Sequence, residues 1–134
     1  MTVLKKAFTT SQAPQPIGPY SQAIRVNDTV YISGQVPINP ETNQVHEGTF
    51  KQQLYMMFDN LKAITEAAGG SMNQIVRISL YLIDLSQFAL VNEVMAEYFS
   101  EPYPARSTIG VASLPKNVPF EVDAIMVLHQ TTGR

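Results

Sequence analysis

The stretch Ile75-Val76-Arg77-Ile78-Ser79-Leu80-Tyr81-Leu82-Ile83 alternates, and its alternation decides the fold class. Val76, Ile78, Leu80 and Leu82 fall on one side; Ile75, Arg77, Ser79, Tyr81 and Ile83 fall on the other. Side chains that change sides at every residue belong to a strand. The first side is wholly apolar and needs a cover, and a helical pattern flanks the strand at each end. Upstream, Phe50, Leu54, Met57, Phe58, Leu61, Ile64 and Ala68 recur at three- and four-residue steps across Thr49–Ala68. Thr49 with Gln52 fits a capping box, and Gly69-Gly70 supplies the stop. Downstream, a helix from about Ser86 to Phe99 carries the stripe Phe88, Val91, Met95 and Tyr98, with Asp84 or Ser86 as cap. Pro102 and Pro104 bar its continuation.

Farther out lie more strands. Asp28–Val36 alternates, with Val30, Ile32 and Val36 opposite Tyr31, Ser33 and Gln35. Asn27-Asp28 suits a hairpin turn from a strand at Ala23–Val26. Arg106–Val111 and Phe120–His129 read as the last strands, with Leu114–Pro119 between them, and Leu4–Phe8 fits an extra one. The Pro-rich run Ala13-Pro14-Gln15-Pro16-Ile17-Gly18-Pro19 must be a loop. The order β-β-α-β-α-β-β describes one α+β domain over residues 1–134, a single mixed sheet with two helices on one face. Val30/Ile32, Val76/Ile78/Leu80/Leu82 and Val122/Ala124/Met126/Leu128 belong under the helices. Tyr31/Ser33/Gln35, Arg77/Ser79/Tyr81 and Glu121/Asp123/Ile125/Val127 line the uncovered face, too apolar to lie fully in water. A homo-oligomer packed through that face is expected.

Composition narrows the function. The 134 residues carry a net charge of −2, and only 15% are charged against about 25% in an average protein. Such sparse charge fits a surface partly buried against another chain. No basic cluster extends beyond Lys5-Lys6, which argues against nucleic acid as a partner. The absence of cysteine removes disulfides, thiolate metal sites and a thiol nucleophile together. His46 and His129 are too far apart in sequence to form a ligand pattern, so no metal is expected. The first residues lack the apolar core of a signal peptide, and no run is long enough to span a membrane. The cytoplasm is the expected address.

Few residues offer chemistry. Neither a nucleophile elbow nor a glycine-rich phosphate cradle is present. Glu121 and Asp123 sit two apart on one strand face, a spacing open to paired-carboxylate chemistry or to a solvated edge. Arg106 follows Pro104-Ala105 at a strand entry. A guanidinium held there presents a planar fork to a carboxylate, or serves as a structural arginine paired with an acid. If Arg106 and Glu121 converge, they form an anion clamp beside a carboxylate able to orient water.

Several segments together resemble the Rid/YjgF family of reactive-intermediate deaminases. They are Ile17-Gly18-Pro19-Tyr20-Ser21-Gln22-Ala23, Tyr31-Ile32-Ser33-Gly34-Gln35-Val36-Pro37, Pro104-Ala105-Arg106-Ser107-Thr108-Ile109-Gly110-Val111, and Leu114-Pro115 followed by Phe120-Glu121-Val122-Asp123-Ala124. Gly69-Gly70 and Val91-Asn92 continue the likeness, which runs from about Lys5 to Leu128. The resemblance implies a chorismate-mutase-like fold, a barrel-forming homotrimer and sites between subunits. It also implies cofactor-free hydrolysis of 2-imino and enamine acids, such as 2-aminoacrylate, 2-iminopropanoate and 2-iminobutanoate, to 2-oxo acids and ammonia. Such intermediates leak from pyridoxal-phosphate-dependent dehydratases, which makes those enzymes functional partners.

By resemblance, Arg106 grips the substrate carboxylate and Glu121 holds the attacking water. Tyr20 closes the pocket with a phenol able to pass a proton or fix the substrate, Ser33 and Gly34 line it, and Asn92 lies near the cleft as a binding or a structural hydrogen-bonding residue. Arg77 stands where many relatives have lysine, as an interface or structural residue. Thr108 stands where some relatives carry cysteine, so it offers a hydroxyl and no thiol; Phe120 replaces smaller aliphatics. Two other readings remain open at this level: a non-catalytic 2-oxo acid binding or regulatory protein, and an RNA-cleaving or translation-inhibiting one.

Overall fold

The helix start expected at Thr49 and Gln52 is present. In a computed structural model describing residues 4–128, Gln52 N donates to Thr49 Oγ1 at 3.1 Å, and Thr49 N donates to Gln52 Oε1 at 2.9 Å. This reciprocal box opens helix α1, Phe50–Ala67, and Gly69 at φ 89° follows its end. Helix α2, Phe88–Tyr98, begins after a 3-10 turn at Leu85–Gln87, where Asp84 accepts from Ser86 N. Both helices cover one face of a six-stranded sheet. Its strands are β1 (Lys6–Phe8), β2 (Ala23–Val26), β3 (Thr29–Gln35), β6 (Ile75–Leu82), β7 (Ala105–Gly110) and β8 (Phe120–Val127). They run in the order β1-β2-β3-β8-β6-β7, antiparallel except for the β6–β7 pair. A small hairpin, β4 (Ile38–Asn39) with β5 (Gln44–Val45), stands apart. Alternation over so few residues gives no signal for it.

The expected α+β order holds, with β1 as the extra strand. Asn27 takes the left-handed conformation, φ 54°, in the two-residue turn joining β2 and β3. The core joins Leu54, Met57, Phe58, Leu61 and Ile64 of α1 to Val91, Val94 and Met95 of α2. From the sheet it takes Val30, Ile32, Ile78, Leu80, Leu82, Val122, Ala124 and Met126. Among the described residues, no helix is long and apolar enough to cross a membrane. His129 lies outside the described residues.

Two bulges correct the expected faces. The register slips between Ile75 and Arg77, so Ile75 turns inward and Val76, expected in the core, is 47% exposed. It slips again between Ile32 and Gln35, which sends Gln35 into the core instead of onto the mixed face. Ser33 and Gly34 occupy that second irregularity. Two aromatics expected in helical core stripes are also exposed. Phe50 lies edge-on to buried Phe120, and Phe88 lies under the Arg106 guanidinium. On the uncovered face, Tyr31, Ile83, Ile109 and Val127 are exposed.

Candidate functional site

Strand register sorts the candidate residues into two groups. Ile78 pairs with Arg106 on one side and with Ala124 on the other, so Arg106 projects toward the helices. Tyr81 pairs with Glu121 and Ile109, so Glu121 projects from the opposite face. Within one chain the two therefore do not converge.

The Glu121 group surrounds a cavity of about 490 Å³. Its walls are the Pro-rich loop with Tyr20, the bulged end of β3 with Ser33 and Gly34, the β4–β5 hairpin, and the 3-10 turn Pro115–Asn117. The glutamate lies across the Gly34 backbone. A Cβ built on Gly34 would stand 2.9 Å from the Glu121 carboxyl carbon and closer still to an oxygen. Any side chain at position 34 would push the Glu121 carboxylate aside; the demand comes from close approach and not from an unusual φ. Among the described residues no group is hydrogen-bonded to the carboxylate. Burial raises its pKa, and the Asp123 charge adds to the rise. Asp123 itself accepts from Tyr81 Oη at 2.9 Å. Glu121 and Asp123 do share a face, but only Glu121 lines the cavity.

Tyr20 is exposed at the cavity's edge, its backbone N–H bonded to Gly18 O at 2.8 Å. Ser33 donates its hydroxyl to Ser21 O at 2.5 Å, which leaves its oxygen as an acceptor only. Two buried amides, which carried no role in the sequence reading, build the walls. Gln22 Nε2 donates to the carbonyls of Thr10, Ala13 and Pro14, while its Oε1 accepts from Thr10 N. Asn60, from α1, donates to Val36 O and Ile38 O and so fixes the hairpin. A polar residue within an apolar helical stripe was the available signal for Asn60.

The Arg106 group lies at the β7 edge of the sheet. Arg106 Nη1 donates to Asn92 Oδ1 at 2.6 Å and reaches Met95 Sδ at 3.5 Å. The guanidinium carbon stands 5.1 Å from the centre of the Phe88 ring. Arg106 has no acid partner among the described residues. Asn92, Met95, Tyr103 and Pro104 form a second, shallower recess with it. Thr108, two residues on, lines neither cavity; its Oγ1 is buried without a hydrogen-bond partner. Arg77 donates to Ser107 Oγ at 2.7 Å, a tie between β6 and β7.

The same frame recurs in known proteins. A 2-iminobutanoate/2-iminopropanoate deaminase of Dermatophagoides farinae is 44% identical over 125 residues, covering 93% of this chain and 98% of that one. The crystal structure of RidA from a Psychrobacter species superposes with a TM-score of 0.89 at 49% identity, over 92% of this chain and 99% of that one. E. coli TdcF, solved with bound serine, superposes with a TM-score of 0.87 at 36% identity, over 92% and 99%. Residues 10–128 match the model of the Endoribonuclease L-PSP family, and the chain belongs to that family, the Rid/YjgF family its motifs resemble.

Proposed function

We propose that this protein hydrolyses 2-imino and enamine acids to 2-oxo acids and ammonia. The observation that carries the reading is the Glu121 carboxylate, half-buried over Gly34 in a cavity and free of donors among the described residues, poised to accept from a water. The protonated imine is already an electrophile. Water adds to the imine carbon, and Glu121 orients it and takes its proton. Proton transfer to nitrogen and collapse of the carbinolamine expel ammonia and leave the 2-oxo acid. Tyr20 closes the site, and Ser33 presents its hydroxyl oxygen. The deaminase name of the mite relative and the serine held by TdcF support a small amino-acid-like ligand. No resident cofactor enters this reading; dehydratases that use pyridoxal phosphate supply the substrate.

Arg106 reaches the same substrate from a second copy. Its edge of one chain meets the Glu121 cavity of the next in a homotrimer, which also covers the exposed Tyr31, Ile83, Ile109 and Val127. The test generates 2-aminoacrylate with serine dehydratase and follows its decay with R106A, E121Q and mixtures of the two. Each variant alone is expected to be inactive, and co-refolded equal mixtures should regain activity at about one site in four. No acceleration by the wild type rejects catalysis; binding of 2-oxobutanoate without turnover, measured by calorimetry, leaves a binding protein. Failure of mixtures to recover rejects the shared site.

A further inference from the structure

Phe88, Asn92 and Met95 are spaced i, i+4 and i+7 on α2, so one helix face presents all three to Arg106. Met95 also belongs to the core, whereas Phe88 is 43% exposed. An aromatic ring left in water contributes nothing to the core, but this one lies under a guanidinium. The three contacts divide the work. The Phe88 ring offers the guanidinium its π face at 5.1 Å. Asn92 holds Nη1, and Met95 backs the same nitrogen. No described residue is hydrogen-bonded to Nε or Nη2, the edge whose two N–H groups match a carboxylate.

We propose that Phe88 and Met95 are positioning residues that act with Asn92 as a cradle, leaving the Nε–Nη2 edge of Arg106 free for the substrate carboxylate. The inference rests on Arg106 gripping that carboxylate. The cradle also explains why a lysine would not replace this arginine, since an ammonium has neither plane nor fork.

The test measures KM, kcat, inhibition by 2-oxobutanoate and thermal midpoint for F88L, F88Y and F88W. F88L keeps apolar bulk and removes the π face. It should raise KM and the inhibition constant about three- to tenfold with kcat nearly unchanged and the midpoint kept. F88Y should restore wild-type values, and F88W should bind the inhibitor at least as tightly. Equal behaviour of all three variants, whether wild-type or equally impaired, overturns the cradle, as does a loss confined to kcat. R106A run alongside separates the two levels. If R106A still binds 2-oxobutanoate as the wild type does by calorimetry, the carboxylate grip itself is wrong; if R106A loses that binding while F88L does not, only the cradle is wrong.

Discussion

Arg106 and Glu121 lie on opposite faces of one sheet and are held in opposite ways. Arg106 is surrounded: a ring, an amide oxygen and a sulfur, all from α2, fix it within its own chain. Glu121 is held otherwise: burial raises its pKa, the Asp123 charge adds to the rise, and no donor among the described residues relieves it. The guanidinium is held by three contacts from its own chain, whereas the carboxylate's charge is disfavoured by where it sits. A carboxylate satisfied by protein donors would be a poor base, and an arginine free to rotate would be a poor clamp.

The sharpest way to break this contrast is E121Q. It should cost about 10²–10⁴ in kcat/KM, the usual worth of a general base. Stability should move the other way. The folded pKa of Glu121 is raised, so its ionised form opposes folding at neutral pH. E121Q should therefore melt at or above the wild type at pH 7, and the gap should close below about pH 4, where the carboxyl is protonated folded and unfolded alike. A variant that melts lower at pH 7 would mean that Glu121 has hidden partners.

N92A probes the other side. Removing an acceptor from a charged donor should weaken inhibitor binding by about 1.5–3 kcal/mol, read as a raised inhibition constant with the pH profile unchanged. G34A pushes a methyl into the Glu121 carboxylate. The carboxylate can swing aside, so thermal melts should show a loss of no more than about 1 kcal/mol, with kcat falling while the inhibition constant moves less. The smallest effect belongs to T108V. The buried hydroxyl has no partner among the described residues, so valine should raise stability by about 1 kcal/mol in denaturant titration. A drop in both stability and activity would show that something beyond one chain satisfies that hydroxyl.

Most of the fold was legible because periodicity reports which side is covered. The capping box at Thr49 and Gln52, both helices and every long strand follow from it. Periodicity fails where register changes. Val76 and Gln35 were assigned to the wrong faces because a bulge leaves no trace in the count of residues. The same failure hid the reason for Gly34, which the slip brings beneath Glu121. Arg106, Asn92, Tyr20, Ser33 and Glu121 were legible as residues through family motifs, but their division between two faces needed the strand partners. Phe88 was read as core since an apolar stripe cannot distinguish a ring packed on leucine from one packed on a guanidinium.

Gln22 carries one more consequence. A single buried amide, 2% exposed, holds the loop at Thr10, Ala13 and Pro14 and so hangs one wall of the cavity from the end of the β2 strand. The bonds run to backbone, so they are indifferent to the side chains of the residues they hold. Side-chain changes at the residues whose carbonyls are held leave the suspension point and the sheet as they are. A lineage could resize the chamber for a different substrate without re-solving the folding problem.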